Sequence, residues 1–544
     1  MGKVGRLTWI IAAAVLLAGS AQAEQFKVRG MKGLWWQGIE KYDLALPWLA
    51  EHDLNFLMLC YSSFPASGMT WRSEYTDAEK QQIRDLAARG RKLGVDVCLS
   101  FNPGIWSQPP LVYSSDADCE TALNKVKTMH ALGVRWFGLC LDDINRGLQP
   151  ADQQKFGTLQ AAQTYFVNRL WNGMKTLKPR PRLIFCPSAY TTDDMRGHQD
   201  YIKAIGAGID PEVLMFWTGP TVCSSSITAA DAKLVAGWLR RKPFVWDNYP
   251  VNDMFPWRPL VSPLRNRSTD LAGAVSGYIS NPMKQWYAST IPLSTTAAYL
   301  TDPGSYDPEK AMEQTIKCYP ADQQRAIRLL VDLYGCSFWG DKDWPPQPRF
   351  ADRAAAARML PKYRVLRKEL SANPGLANLW NDVKDTVEAD IGVLERASAD
   401  RMIVSPLKAN GMDFKGGAAS LYGWMKRGVS VNYVYAKPTG KNTMWTDFFL
   451  DDIPTGGAVI QVRGINDDLG VNGAIRISLN DFVVHQGPAN WRKDDFETKE
   501  FQVPASVLKK GKNTMSIRMT EEQGTLGMPP WFMVSEAELI PKTN

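Results

Sequence analysis

The chain has 544 residues, 45% of them hydrophobic and 22% charged, with a formal net charge of +7. That length suggests roughly two to four domains with room for a large core. The charge is spread along the chain, and short basic runs such as Arg240 to Lys242 and Lys509 to Lys512 read as solvated faces, which argues against a nucleic-acid partner.

Taken in order, the chain opens on a targeting pattern. Lys3 and Arg6 precede an apolar run from Leu7 to Gly19, and Ala21-Gln22-Ala23 forms a small-residue cleavage site. Residues 1–23 therefore read as a signal peptide, with a mature chain from Glu24 and export to the periplasm or the medium. No later run reaches the ~20 apolar residues a span requires, so no membrane span is expected.

Apolar runs then alternate with helical patterns. Strands are expected over Met31–Gln37, Leu54–Cys60, Val95–Phe101, Trp136–Leu141, Arg182–Cys186, Val213–Trp217, Pro243–Trp246 and Gly273–Ile279. Helices are expected between them, over Tyr42–Glu51, Asp77–Leu93, Ala117–Leu132, Ala151–Leu177, Gln199–Ile205 and Thr228–Leu239. This succession is the pattern of an α/β chain folded as a (β/α)8 barrel. An open doubly wound sheet would want a glycine-rich phosphate turn after its first strand, and none is present. The barrel is placed at residues 24–301. Amphipathic patterns over Asp307–Tyr334 and Ala351–Arg396 suggest a helical domain at 302–404. Short alternating runs, such as Ala458–Arg463 and Ala474–Leu479, suggest a β-sandwich at 405–544.

The run from Trp136 to Leu141 ends in two adjacent acids, Asp142 and Asp143. One Asp at such a tip is an ordinary helix cap. Two are costly at the C-terminal end of a barrel strand unless they do chemistry. The other tips carry Cys186 to Tyr190, Trp217 to Pro220, Trp246 to Asp253, and Asn281-Pro282. Each has a bland reading: Trp246 as core, Asp247 as a cap, Asn281 as a turn. Together they describe one pocket of acids, amides and aromatics. With four histidines and no zinc-type spacing, neither a metal nor an organic cofactor is expected. Such a set suits sugar chemistry. Adjacent acids point different ways along a strand and cannot flank one bond as the usual pair, whereas substrate-assisted glycosidases are exempt from that geometry.

The chain resembles glycoside hydrolase family 84, the β-N-acetylglucosaminidases that include O-GlcNAcase. The resemblance rests on Leu141-Asp-Asp-Ile144, Phe185-Cys-Pro-Ser-Ala-Tyr190, Met215-Phe-Trp-Thr-Gly-Pro220, Val245-Trp-Asp-Asn248 with Asn252-Asp253, and Ser280-Asn-Pro282. It implies that Asp142 orients the substrate's 2-acetamido group and that Asp143 is the general acid and then the base. It also implies that Tyr190, Thr218 and Trp246 line the acetamide and anomeric pocket, and that Asn248, Asp253 and Asn281 hydrogen-bond the sugar. Asp142 as a like-charged neighbour would hold the proton on Asp143. The chain departs from the family after the first strand, where Gly33-Leu-Trp-Trp-Gln-Gly38 stands for a Gly-Phe-Tyr-Gly type segment, and after the second. There Ser62 stands where the family carries a lysine that contacts the sugar.

The expectation is thus an exported, retaining β-N-acetylhexosaminidase acting on glycans or glycoconjugates. Two alternatives remain open: a glycosidase for a different 2-acetamido sugar or with endo action, and a non-catalytic glycan-binding relative. Eight cysteines all precede residue 337. Those near strand ends favour buried thiols, and Cys318 with Cys336 is a candidate local bridge. Aromatics of the sandwich (Tyr422, Trp424, Trp445, Trp491 and Trp531) are candidates for sugar stacking or for core.

Overall fold

The computed structural model describes residues 24–33, 40–105, 107–253, 258–335, 353–398, 407–420, 431–450, 452–467 and 470–542. The expected signal peptide, Cys336, Tyr422 and Trp424 lie outside the described residues.

Eight parallel strands close into a barrel in sequence order. They are β1 (Arg29–Lys32), β2 (Phe56–Leu59), β3 (Asp96–Phe101), β4 (Trp136–Cys140), β5 (Arg182–Cys186), β6 (Leu214–Trp217), β7 (Phe244–Pro250) and β8 (Gly277–Asn281). Their residues are nearly all buried, as befits strands covered on both faces. Gly30 permits β1 to lie against β2, since a Cβ there would fall 1.8 Å from the Phe56 carbonyl oxygen. Side chains of Phe56, Met58, Trp136, Phe216, Phe244 and Ile279 fill the barrel, with Phe56 and Trp136 meeting edge to face at 5.1 Å. This plug leaves room for chemistry only at the rim.

Helices form the outer layer. Asp77–Leu93 begins with a capping box from Thr76 and Glu79, and ends at Gly94 in the left-handed region. The long helix expected over Ala151–Leu177 is two, Pro150–Phe156 and Leu159–Met174. Gly157 ends the first at φ 69°, and the Thr158 side chain caps the second. The eighth strand also differs from expectation. Leu271–Ala274 is a helical turn, and β8 starts only at Gly277.

Beyond the barrel, helices Pro308–Lys317, Ala321–Tyr334, Arg353–Ala372 and Ala377–Ser398 share a separate apolar core. The last two are broken apart at Asn373-Pro374, because proline cannot continue the preceding helix. This layer also grips the loop after β7. Buried Asp390 lies 3.7 Å from Arg258 and accepts a 2.6 Å hydrogen bond from Tyr334. The Arg258 carbonyl in turn accepts from Asn252 at 2.6 Å.

The C-terminal strands form two antiparallel sheets. One runs Lys415–Gly416, Thr443–Leu450, Gly511–Met519, Ala474–Leu479, Phe482–Pro488. The other runs Ala418–Ser420, Val431–Tyr435, Trp531–Pro541, Ala458–Asn466, Glu497–Val503, with Lys408–Asn410 also on Trp531–Pro541. Inward side chains from both sheets share one core. No helix among the described residues is long and apolar enough to cross a membrane.

Candidate active site

At the C-terminal rim the barrel holds an open pocket of about 300 Å³. Asp142, Asp143, Tyr190, Thr218, Trp246, Asn248, Asp253 and Asn281 all line it. Lys32, Tyr61, Ile105, Cys186 and Val222 complete the lining.

The two acids are separated by backbone conformation. β4 ends at Cys140, and Asp143 then adopts φ 51°, a region that few non-glycine residues enter and that Asp tolerates. The turn leaves Asp142 6% exposed and puts Asp143 at the exposed mouth. Neighbouring tips hold this turn in place. Leu141 donates its backbone N–H to Cys186 at 2.9 Å, and its carbonyl accepts from the Ser188 hydroxyl at 2.8 Å. Asn102, just past β3, donates to the Asp142 carbonyl at 3.2 Å.

Each carboxylate has its own tyrosine. Tyr61 donates to Asp142 Oδ2 at 3.2 Å, and Tyr190 donates to Asp143 Oδ1 at 2.9 Å. Burial and the nearby acids push both phenols upward, so they remain protonated donors. The Asp142 carboxyl is pushed up to about 7, chiefly by burial and then by the charge of Asp143; Lys32 and the Tyr61 hydrogen bond pull the other way.

The opposite wall is an amide network whose orientation is fixed by donor chemistry. The Trp246 indole N–H can only donate, and it donates to Asn248 Oδ1 at 3.0 Å. Asn281 donates its Nδ2 to the same oxygen at 2.8 Å. The Asn248 amide hydrogen goes to the Val222 carbonyl at 2.7 Å. This leaves Asn281 Oδ1 buried with no protein donor among the described residues, an acceptor suited to a ligand N–H or O–H. Trp246 and Asn248 face the pocket, and Asp247 between them faces away, as strand alternation requires. Asp247 is therefore neither a cap nor a pocket acid. It is fully buried and paired with Arg267 at 2.8 and 2.9 Å, with Tyr278 donating to the same carboxylate.

The region after β2 departs from expectation. Ser62 does not line the pocket; its hydroxyl turns to Cys60 Sγ at 3.1 Å. The pocket nonetheless contains a lysine, supplied by β1. Lys32 is 4% exposed, and its Nζ lies 4.6 Å from the Trp246 ring centroid. Sequence reasoning missed Lys32, Tyr61 and Asn102. The signal available was a lone lysine inside an apolar strand run. The described cysteines are free thiols, including Cys140 and Cys186, which are register partners on β4 and β5.

Comparisons with known proteins converge on one family. A family model described as beta-N-acetylglucosaminidase matches residues 28–332. The protein O-GlcNAcase of Mus musculus is 25% identical over 293 residues, which make up 53% of this chain and 31% of that one. This chain thus spans about a third of the length of that curated relative. Among solved structures, a mutant of the Thermobaculum terrenum O-GlcNAc hydrolase superposes with a TM-score of 0.61 at 24% identity, covering 68% of this chain and 83% of the other. The structure of CpGH84B gives 0.58 at 21% identity, covering 69% and 68%. At these identities the two structures speak for the shared fold.

Proposed function

The chain belongs to the β-N-acetylglucosaminidase family, glycoside hydrolase family 84, and from that premise we propose that it is an exported, retaining β-N-acetylhexosaminidase acting by substrate assistance. The observation that carries this reading is the split pair. Asp142 is sunk in the pocket, Asp143 stands at its mouth, and a tyrosine holds each. Export rests on the basic and apolar leader with its Ala21-Gln22-Ala23 site.

In the proposed reaction the substrate's acetamido oxygen attacks the anomeric carbon as the bond to the leaving oxygen breaks. Asp143 gives its proton to that leaving oxygen. Asp142 accepts the acetamido N–H and takes its proton as a neutral oxazoline forms. Water then attacks the anomeric carbon and gives a proton to Asp143. Asp142 returns the nitrogen's proton as the ring opens, so both acids end as they began. The overall result is hydrolysis with retention at the anomeric carbon. Asn248, Asp253 and Asn281 would hold sugar hydroxyls, with the buried Asn281 Oδ1 as acceptor. The Trp246 ring would wall the acetamido group.

Hydrolysis of an aryl β-N-acetylglucosaminide tests the reading, with the β-N-acetylgalactosaminide and the plain β-glucoside alongside. Cleavage of a 2-acetamido sugar and not of the glucoside is expected. Binding without turnover across the acetamido panel would contradict it and point to a glycan-binding relative. One observation keeps a second specificity in play. With Lys32 and Tyr61 at the pocket and Ser62 turned away, a 2-acetamido sugar other than N-acetylglucosamine is the alternative substrate.

A further inference from the structure

The reaction needs a proton on Asp143, the acid at the mouth, while Asp142 is ionised. Burial alone would put it on the wrong group. A carboxylate in a low-dielectric pocket is the costlier charge, so the deeper acid, Asp142, is the one that burial tends to neutralise. Something at the pocket floor has to oppose this preference.

Lys32 stands where that work is needed. It ends β1, is 4% exposed, and lies between the Trp246 ring at 4.6 Å and the Tyr61 ring at 5.8 Å. The aromatic faces steady an ammonium through their quadrupoles. The same Tyr61 donates to Asp142, so the lysine and the deep acid share a neighbour. We propose that Lys32 is a positioning residue for the reaction of the Asp142–Asp143 pair, its ammonium drawing the pair's negative charge to Asp142 and so leaving the proton on Asp143. This rests on the substrate-assisted reading above.

The titratable and charged groups facing Asp142 are consistent with that role. Asp143 on its own loop pushes its carboxyl up, whereas Lys32 from β1 and the hydroxyl of Tyr61 after β2 pull it down. Cys140 at the end of β4 and Cys186 on β5 also feel Lys32, which places the cation's field at the pocket floor. Both thiols are held neutral by burial. Tyr190 reaches the pair from the mouth side, through Asp143.

The test replaces Lys32 with Met and, separately, with Arg. In Lys32→Met the acidic limb of kcat/KM moves to higher pH, because Asp142 ionises less readily. A one-unit move lowers the rate about tenfold on that limb. The loss falls on kcat, and is larger for poor leaving groups than for good ones, since the missing proton is the one on Asp143. Lys32→Arg restores the limb. A direct readout independent of turnover is the carboxyl titration of Asp142, followed by carbon-13 NMR with Asp142→Asn as the assignment control. It should move upward in Lys32→Met.

A folded Lys32→Met protein, with an unfolding midpoint near the parent's, whose limb and Asp142 titration stay unchanged overturns the proposal. If Met at that site prevents folding, Lys32→Arg and Lys32→Gln carry the same titration test. A parent protein inactive on every 2-acetamido sugar refutes the functional reading, while the NMR titration still decides the placement of charge by Lys32.

Discussion

The barrel mouth and the C-terminal sandwich are both rich in aromatic side chains, yet they use them differently. At the mouth Trp246 is tied by its indole N–H into a polar wall that faces a pocket. In the sandwich Trp491 and Trp531 are 4% and 5% exposed and pack among core residues, with the Trp491 ring tilted 55° against Phe532 at 4.8 Å between centroids. Only Trp445 of the described sandwich candidates presents an open face, at 38% exposure. An aromatic therefore says little about sugar binding until polar groups converge beside it. Function sits where strand tips from different parts of the chain bring such groups together.

The sharpest way to break this contrast is Asp143→Ala. Loss of a general acid should cost about 10²- to 10⁴-fold in kcat for a poor leaving group, and much less for a good one. An equal loss for both leaving groups, read from kcat across an aryl series, would remove Asp143 from that role. The matching change in the sandwich is Trp491→Ala. It should lower stability by about 3–5 kcal/mol in that region, by analogy with buried Trp truncations, while kcat of the folded protein holds. Denaturant melts paired with kcat measure both.

A pH-dependent effect comes next. The Asp142 carboxyl rises from 3.8 to about 7 on folding, so the folded state binds this proton more tightly than the unfolded chain. The ionised acid therefore costs stability progressively as pH rises between those values. Asp142→Asn removes that cost. It should gain about 1–3 kcal/mol at pH 8, with the gain fading toward pH 4, although activity is lost. Unfolding midpoints at the two pH values check it. The smallest expected effect is Trp445→Ala, within about 0.5 kcal/mol in stability and without change in kcat on a soluble aryl substrate.

Much of the barrel was legible because parallel strands covered on both faces leave continuous apolar runs. Arg182–Cys186 and the helix Asp77–Leu93 fall where the pattern puts them. The eight expected pocket residues come together for the same reason: each ends or follows such a run. Lys32 was hidden by a boundary. The expected first strand, Met31–Gln37, places Lys32 near the strand start, whereas β1 stops at Lys32 and makes it a tip residue. The buried pairing of Asp247 with Arg267 was also beyond reach, since 20 residues separate the partners. In the sandwich, Phe482–Pro488 escaped detection because it is a largely exposed edge strand with little alternation of burial. Trp531–Pro541 was missed although its buried start and alternating end pair with strands on both sides.

The central claim is that the substrate's own acetamido oxygen is the nucleophile, held by Asp142 and served by Asp143. The most direct measurement is the rate on aryl β-glycosides whose 2-acyl group carries zero, one, two or three fluorines. Fluorine weakens the carbonyl oxygen as a nucleophile while changing the group's size little. A steep fall in kcat/KM along the series is the predicted result. A rate indifferent to fluorination, in a protein that still turns the substrates over, would contradict it.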